Sequence, residues 1–507
     1  MRMRPKRFRA TRTRFEKLTW QEYQERLKKT AASSKKLSAR LRERAVQSVL
    51  SGRPRPNFRA AHNGYAAVLR RLNPSFLKLS LIFALLLIGV YGITRTVLKI
   101  TGPPSSSKRS ITTKGASTTP QPDKQLFDKK DVRRLLNAED FFDLTDKGFD
   151  VMVDGQRLRV ETSLDISLQH YIQEKLNWRT PRYRPDRIGI VAVDPMSGRV
   201  LCLVGFEETP SAINPCVDNG FPAASIFKIV TAAAAVEEFG FDADTRMAFN
   251  GQKHTLYKSQ LRNRQNKYTR TLTLRDSFAQ SVNPVFGKIG VHYLGRSILE
   301  KYAAVFGFNR PIDFEIPLAP SVFSVSDKLY HWAEIASGFN RQTTMSPLHG
   351  ALMAAAVINQ GTLMEPTIID RISDATGRLR YQGRCTPLRQ AITPEASHVL
   401  SELMQATVTS GTSRKTFRGY RRDEVLSRLV IGGKTGSINN SSNDARFDWF
   451  VGFAEEKNGL PKIAVAVVVA HGKYIGTRAS QYARWVIQEY FRNYFAGIQA
   501  TSAAAGS

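Results

Sequence analysis

A long uncharged apolar run divides this chain into two parts that must meet different environments. Residues 79–94, LSLIFALLLIGVYGIT, carry no charge and are bounded by Lys78 and Arg95. Apolar neighbours on both sides lengthen the run towards the ~20 residues that a helix needs to cross a bilayer. A core helix is usually amphipathic, whereas this run is apolar all round, and a cleaved signal peptide rarely has 75 residues before it. The sequence therefore predicts an uncleaved transmembrane signal anchor at residues 76–98.

Positive charge is concentrated on the N-terminal side of this run. The chain has 507 residues and a formal net charge of +32. Residues 1–78 contain 22 Lys and Arg against four acids, whereas the other 429 residues contain 53 against 39. Basic residues beside a span favour the cytoplasmic side. Residues 1–75 are therefore expected to be a cytoplasmic, largely disordered tail that touches anionic membrane lipid. Nucleic-acid binding is not expected, because no helix-turn-helix or aromatic pattern accompanies the charge.

The remaining boundaries follow from composition and pattern. Residues 99–125 are rich in Ser, Thr and Pro, which predicts a linker. Beyond it we expect a small juxtamembrane pedestal at 126–184, a main domain at 185–497 and a disordered tail at 498–507. All of these segments should lie outside the cytoplasm.

Three cysteines are too few for a scaffold built on disulfides. Cys216 and Cys385 could pair, a question that the sequence leaves open, while Cys202 in VLCLVGF is expected in the core. No CxxC pair or His/Cys cluster predicts a metal site, and no cofactor is expected.

Strand patterns lie at both ends of the C-terminal part. RIGIVAVD, a PMSG turn and RVLCLVGF predict a hairpin that begins near residue 187. A long helical middle follows, and strands return at LVIGGKTGSI, FDWFVGFA and KIAVAVVVAHG, before an amphipathic helix near residues 480–495. This order predicts an α/β (α+β) fold in which one sheet combines the two ends and encloses a helical insert.

The first chemical motif is Ser225-Ile-Phe-Lys228, in FPAASIFKIVTAAAAVEE. Residues three apart on a helix face the same way, so the Lys228 amine can reach the Ser225 hydroxyl. Serine becomes a nucleophile when a base takes its proton, and burial near other cations keeps a lysine neutral. In isolation, a capping serine beside a solvated lysine explains the pattern better, and S-x-x-K also begins at Ser33 and Ser105.

The second motif is Ser281-Val-Asn283, followed by Pro284. Because proline restricts the residue before it to extended backbone, we expect Asn283 on a loop that projects polar groups into a cleft. A polar turn is the simpler account of this motif alone, since S-x-N also begins at Ser437 and Ser441.

The third motif is Lys434-Thr435-Gly436, followed by Ser437, and it occurs once. A glycine on an edge strand lets an extended peptide approach and pair with the backbone. Lys434 would offer a fixed positive charge, and the Thr435 and Ser437 hydroxyls would bind a carboxylate. A hairpin turn with no chemical role would explain the motif if it stood alone.

With all three motifs in this order, the chain resembles the penicillin-binding protein transpeptidases of the serine β-lactamase fold, especially the transpeptidase half of the bifunctional (class A) members. The resemblance covers about residues 158–495 and implies an antiparallel sheet flanked by helices, with a helical subdomain. It rests on VETSLDISLQ, VAVDPMSGRVLCLVG, PAASIFKIVTAAAAVE, QSVNPVFGKIG, VTSGTSR and GGKTGSINNSSNDARFDWFVGFA.

Two departures from the bifunctional pattern matter. Their glycosyltransferase motif is only faintly matched by Glu139-Asp140-Phe141-Phe142, and the roughly 60 residues between linker and first strand cannot hold that domain. A separate glycosyltransferase is therefore expected to supply glycan strands. Ser437 also stands where threonine is commoner, but it keeps a hydroxyl.

The resemblance implies a peptidoglycan stem peptide ending in D-Ala-D-Ala as substrate, with β-lactams reacting at the same serine. Ser225 would attack the penultimate carbonyl, Lys228 would act as base, Ser281 would relay a proton and Asn283 would hold Lys228. Backbone N–H groups of Ser225 and Ser437 would form the oxyanion hole. The substrate carboxylate would bind Lys434, Thr435, Gly436 and Ser437, and an amine from a second stem would complete the cross-link.

Alternative functions remain open at this stage. A D,D-carboxypeptidase would use water as the acceptor. A β-lactamase needs a glutamate to activate that water, and Glu315-Ile-Pro-Leu318-Ala319 lacks the asparagine of the usual loop. A β-lactam sensor shares the three motifs, and an adaptor that uses the basic tail could carry an inactive domain. The preferred interpretation is a single-pass enzyme of the bacterial cytoplasmic membrane, with its catalytic domain outside.

Overall fold

The computed structural model describes residues 126–505 except 137, 142–143, 177–182 and 212, and it leaves out the side chains of residues 500–505. The expected basic tail, membrane anchor and linker lie outside the described residues. Among the helices of the described part, none is both long and apolar enough to cross a bilayer.

The domain is organised around a five-stranded antiparallel sheet with the order β13-β14-β15-β3-β4. The strands in chain order are β1 (Gly148–Val153), β2 (Gln156–Thr162), β3 (Arg187–Val193), β4 (Val200–Glu207), β5 (Phe221–Pro222), β6 (Arg246–Phe249), β7 (Arg270–Thr273), β8 (Thr344–Met345), β9 (Thr362–Met364), β10 (Ile369–Asp374), β11 (Leu379–Gln382), β12 (Pro387–Gln390), β13 (Leu429–Asn439), β14 (Arg446–Glu456) and β15 (Lys462–His471). Strands from both ends of the domain thus share one sheet, which confirms the sequence prediction.

Helices cover both faces of this sheet and fill the insert between β5 and β13. The helices in chain order are α1 (Lys129–Leu135), α2 (Ile166–Lys175), α3 (Lys228–Phe239), α4 (Leu274–Ala279), α5 (Asn283–Ile289), α6 (Gly295–Val305), α7 (Leu329–Ser337), α8 (Pro347–Ile358), α9 (Pro394–Thr409) and α10 (Ala479–Ala505). The helical middle that the sequence predicts is therefore present.

Strand β15 shows how the sequence produces two buried layers. Side chains alternate between the faces of a strand. Val465, Val467 and Val469 pack with α2 and α10, whereas Ala464 and Ala466 belong to the core on the opposite face, with α3 and α8. Because both layers are apolar, this strand reads as a continuous hydrophobic run.

The boundary expected at residues 184/185 does not separate two structural units. The hairpin β1-β2 turns at Asp154-Gly155, but its sheet has the order β1-β2-β10-β11 and so includes residues 369–382. Helix α2, also placed in the pedestal, buries Leu168 and Ile172 against the five-stranded sheet. The pedestal is therefore corrected to a sheet that the main domain helps to build.

The C-terminal helix is longer than the sequence analysis expected. It continues to Ala505, beyond the predicted end of the domain at residue 497, which corrects the disordered tail for residues 498–505. Five of the ten residues of AGIQATSAAA are alanine, which has the highest helix propensity, and this composition favours a helix that continues past Gly497.

The three thiols are free. Cys202 and Cys216 are buried and Cys385 is exposed, so the pairing left open between Cys216 and Cys385 is not made in this structure. The core position expected for Cys202 is confirmed.

Candidate active site

Ser225 lies in a short 3-10 turn, Ala224–Phe227, which we call the nucleophile turn. The turn connects β5 to helix α3, and the buried side chains of Ile226 and Phe227 anchor it in the core. Ala224 has φ of +49°, a left-handed conformation that a non-glycine residue adopts only when its surroundings enforce it. The chain therefore turns sharply before the helix begins, and Ser225 lines a cleft.

Lys228 begins helix α3 and is completely buried. Its Nζ lies 2.7 Å from Ser225 Oγ and 2.8 Å from Asn283 Oδ1, and it also donates to the Ser337 carbonyl. The predicted approach of Lys228 to Ser225 and Asn283 is therefore present in the structure. The Ser337 contact was missed, because a backbone carbonyl at the end of α7 leaves no motif in the sequence.

The three partners of Lys228 decide where a proton can go. Asn283 Oδ1 and the Ser337 carbonyl can only accept hydrogen bonds, so each requires an N–H of the amine. The Ser225 hydroxyl is the one partner that can also donate. When Lys228 is neutral, its lone pair therefore accepts the Ser225 proton, which is the arrangement of a base beside its nucleophile.

The electrostatics favour that neutral amine. Burial, and then the charge of Lys434, hold the pKa of Lys228 well below its usual range. Both effects disfavour the charged form, the first by removing water and the second by repulsion. A lysine with a lowered pKa can act as a general base near neutral pH.

Asn283 is held by two backbone contacts to the segment before it. Its Nδ2 donates to the His254 carbonyl at 3.0 Å, which fixes the amide so that Oδ1 meets Lys228. Its backbone N–H donates to the Lys253 carbonyl at 2.7 Å. The expected extended loop is corrected here, because Asn283 is the first residue of α5. Pro284 fits the first helical turn, where a missing N–H costs nothing.

Ser281 precedes this helix and also lines the cleft. Its φ is +54°, the second left-handed non-glycine residue at the site after Ala224. Its hydroxyl has no hydrogen-bond partner among the described residues, which leaves it available to a substrate. The position agrees with the one expected for the second motif.

The third motif lies on β13, the edge strand of the five-stranded sheet, as the sequence predicts. The structure gives a different reason for glycine at position 436 from the one expected. A Cβ on Gly436 would lie 3.3 Å from Ala224 Cβ and 3.3 Å from Ile226 Cγ1. The glycine therefore allows β13 to approach the nucleophile turn, which brings the first and third motifs to the same cleft.

Lys434 does not offer the fixed, accessible charge expected of it. Its side chain is fully buried, and burial lowers its pKa to about 7. Its Nζ donates to the Thr435 carbonyl at 2.9 Å and lies 5.4 Å from the centre of the Phe278 ring. Lys434 therefore changes charge near neutral pH. It does not line the cleft, so its influence there is electrostatic.

The two hydroxyls of the third motif face partners that the sequence analysis did not assign. Thr435 Oγ1 lies 2.6 Å from Thr412 Oγ1, and Ser437 donates to Asp448 at 3.0 Å. Asp448 also accepts from Arg478 and from the Ala479 N–H. The β13-β14 register, which pairs Ser437 with Asp448, is the signal that could have found this carboxylate.

These elements enclose a cleft with a volume of about 520 Å³. Five of the eight predicted site residues line it, and Lys228, Lys434 and Gly436 lie directly behind its wall. His254, Thr412, Arg446, Asp448 and Arg478 line it in addition. The cleft therefore combines a serine–lysine pair with hydroxyl groups and arginines that suit a carboxylate.

Comparison with known proteins agrees with this geometry. Residues 188–489 match the model of the penicillin-binding protein transpeptidase domain. Stage V sporulation protein D of Bacillus subtilis is 24% identical over 62% of this chain and 50% of its own length. Peptidoglycan D,D-transpeptidase PbpA of Mycolicibacterium smegmatis is 24% identical over 57% of this chain and 62% of its own length. The alignments thus span half to three fifths of these relatives.

A solved structure shows the same fold. The D,D-transpeptidase domain of a peptidoglycan glycosyltransferase from Eggerthella lenta superposes with a TM-score of 0.55 and 22% sequence identity. The match covers 66% of this chain and 83% of that one. With the family model matching more than half of its length, this chain belongs to the penicillin-binding protein transpeptidase family.

Proposed function

We propose that this protein is a membrane-anchored serine D,D-transpeptidase that cross-links peptidoglycan stem peptides and is acylated by β-lactams. One observation carries the proposal. The buried Lys228 amine lies 2.7 Å from the Ser225 hydroxyl, and its other two partners can only accept hydrogen bonds. That arrangement supports removal of the serine proton during attack on an acyl group.

In the acylation step, Ser225 Oγ attacks the carbonyl of the penultimate D-Ala while its proton passes to Lys228. Backbone N–H groups of Ser225 and Ser437 would stabilise the oxyanion, a contribution of about 10²–10³ in rate per donor. Ser281 would pass a proton to the leaving D-Ala amine. Thr435, with Arg446 and Arg478 in the same cleft, would hold the terminal carboxylate.

In the second step, an amine from another stem peptide attacks the acyl-enzyme and restores free Ser225. A hydrolase would instead need a carboxylate to activate water. Asp448 is the one carboxylate among the described residues that line the cleft, and it is bound by Ser437, Arg478 and Ala479. Glu315 is fully buried and accepts from Thr367 and Tyr381, away from those lining residues. Both observations favour aminolysis and a long-lived β-lactam adduct.

The test is covalent labelling with a fluorescent penicillin. The wild-type protein should form a stable adduct that survives denaturing electrophoresis, and Ser225→Ala should form none. An unlabelled wild type would contradict the proposal, while rapid release of the label would favour a β-lactamase. Product analysis with and without an amine acceptor then separates cross-linking from D,D-carboxypeptidase activity.

The anchor is part of the same proposal and rests on the apolar run and the basic tail. Residues 76–98 would cross the bacterial cytoplasmic membrane with the N-terminus inside and the catalytic domain outside. A full chain should remain with membranes after carbonate extraction, and a chain that lacks residues 1–98 should be released. A protease added outside the cell should reach the catalytic domain but not the tail.

The proposed enzyme also needs glycan strands from a separate glycosyltransferase. This proposal follows from the segment of roughly 60 residues between the predicted linker and β3, which is too short for a polymerase domain. Purified protein should cross-link preformed glycan strands, and it should not extend them from lipid-linked precursors.

A further inference from the structure

A second groove lies beside the catalytic cleft, and nothing in the catalytic motifs accounts for it. Its volume is about 990 Å³, larger than that of the cleft itself. We call it the lateral groove, and it is formed by helix α7, the following residues 338–342, and the segments around residues 258–262 and 291–292.

The lateral groove is continuous with the active site through one short segment. Phe339 lines both the groove and the cleft, and its ring is exposed. The neighbouring Arg341 lines the groove and donates from Nε to the Asn439 carbonyl at 2.8 Å, at the end of β13. This segment therefore connects the strand of the third motif to the groove, and the groove adjoins the cleft at Phe339.

The groove has an apolar floor and a basic rim. Leu261, Val291 and Tyr330 form part of the floor and pack together in a small cluster under it. The Tyr330 hydroxyl donates to the Leu256 carbonyl at 2.6 Å, which fixes this wall. The rim carries Lys258, Arg262, Lys328 and Arg341, all exposed.

The charge of the groove is unbalanced. None of the four rim cations forms an ion pair with a carboxylate in the part of the chain that the structure describes. Glu334 is the single acidic residue that lines the groove, and burial raises the pKa of its carboxyl. Asn340 also lines the groove, and its Nδ2 has no acceptor among the described residues. The rim therefore carries positive charge that no carboxylate of the described residues balances by an ion pair.

We propose that the lateral groove binds a carboxylate-bearing segment of the peptide substrate outside the D-Ala-D-Ala terminus. The inference rests on the proposed transpeptidase function, because it needs a peptide in the cleft. The apolar floor suits the aliphatic part of such a segment, and the basic rim suits its carboxylates. The segment belongs to the donor strand, because the cleft proposed for the donor's D-Ala-D-Ala terminus shares Phe339 with the groove.

The test compares acidic and neutralised substrates on full-length protein. Two synthetic acyl-D-alanyl thioester donors differ only in an upstream carboxylate that is free or amidated, and two amine acceptors differ in the same way. The groove variant is Lys258→Gln with Lys328→Gln. The matched control is Lys130→Gln with Lys457→Gln, which removes the same charge from exposed lysines outside both the cleft and the groove.

The measured quantity is the ratio of kcat/KM for the acidic substrate to kcat/KM for its amide. We expect the groove variant to lower this ratio on the order of tenfold, as loss of two exposed charge contacts predicts. The control should keep the wild-type ratio, and added salt should reduce the wild-type preference. A change confined to the two donors supports the proposal, and a change confined to the two acceptors contradicts it.

An unchanged ratio in the groove variant would overturn the inference, as would equal losses for acidic and amidated substrates. Fluorescent penicillin labelling of Ser225 is measured in parallel. If the wild type labels but shows no preference for the acidic substrate, the groove proposal fails while the proposed function stands. If the wild type neither labels nor accepts thioesters, the proposed function itself fails.

Discussion

Ser437 donates its hydroxyl proton to Asp448 over 3.0 Å, from the edge strand β13 to its neighbour β14. The third motif therefore presents the oxygen of this hydroxyl, and not its proton, to the cleft. A substrate carboxylate must find its donors elsewhere, and Arg446 and Arg478 line the same space. Asp448 is thus a positioning residue that sets the polarity of the carboxylate site.

Asp448→Asn should destabilise the protein at neutral pH. Burial opposes ionisation of Asp448, but the nearby His471, the Ala479 N–H, Arg478 and Ser437 together lower its pKa below the ordinary value of 3.8. We expect a loss of about 1–3 kcal/mol in the free energy of unfolding, because charge-assisted bonds to a buried group are removed. Urea titration at pH 7 measures it.

The pH dependence of this loss has a defined sign. A carboxyl with a lowered pKa in the folded state adds stability above its unfolded pKa, and that stability is lost as the pH falls through the folded value. The difference between wild type and Asp448→Asn should therefore shrink in acid below pH 3.8. Asp327→Asn, at an exposed ion pair with Arg296, serves as control and should lower the free energy of unfolding far less, because solvent screens the pair. Equal losses in the two variants would contradict the assignment.

Lys228→Ala should lower the rate of Ser225 acylation by about 10²–10⁴-fold, the usual contribution of a general base. The measurement is the rate of penicillin adduct formation under single-turnover conditions. Unfolding temperature checks that the domain remains intact. Acylation at the wild-type rate would show that another group removes the serine proton.

Lys434→Met should move the pH dependence of acylation. The rate rises with pH as Lys228 loses its proton, and the Lys434 charge helps to lower the pKa of Lys228. Without that charge the pKa of Lys228 rises, so the ascending limb should shift to higher pH. The measured quantity is the pH at the midpoint of the ascending limb, because the maximum rate also depends on substrate binding.

Lys288→Met is the matched control for this shift. Lys288 is also buried with a lowered pKa, but burial alone causes the change, and its amine donates to the Ala248 carbonyl at 2.9 Å. This variant should keep the wild-type midpoint. A similar shift in both variants would mean that loss of any buried charge moves the limb.

Gly338→Ala should slow acylation of Ser225 in addition to straining the backbone at position 338. Gly338 ends α7 with φ of +66°, and a Cβ there would lie 1.9 Å from the Ala224 carbonyl oxygen, next to Ser225. Gly240 ends α3 with φ of +62° and has open space around it. Each substitution should lower the free energy of unfolding by about 1–2 kcal/mol, because alanine is strained in the left-handed backbone conformation.

The difference between these two variants isolates the clash. Only Gly338→Ala should slow acylation of Ser225, by at least about tenfold if the nucleophile turn is displaced by an ångström. Acylation rates and urea unfolding are measured on both proteins. Equal acylation rates would show that the turn tolerates the displacement.

Much of the fold and site could be predicted from the sequence because local patterns determine them. Apolar runs bounded by turn residues predicted the strands at both ends, and helical spacing predicted that Lys228 lies within reach of Ser225. The edge strand expected for the third motif is also present. These features depend on short stretches of chain.

The remaining features depend on packing between distant segments. The Ser337 carbonyl reaches Lys228 because α7 ends beside α3, and the burial of Lys434 depends on what covers β13. Asn283 begins a helix because its side chain and backbone are bound by residues 253–254. The lateral groove combines segments between residues 258 and 441, so no single pattern marks it.

The sheet order has a consequence for the timing of synthesis. Strand β3 pairs with β15, so the hairpin that precedes Ser225 gains its second neighbour only when residues 462–471 have been made. A chain still attached to the ribosome at residue 450 has its nucleophile but not the sheet that supports it. Because such distant pairing is slow to form, the sheet beside Ser225 is completed only after the last strand has been made.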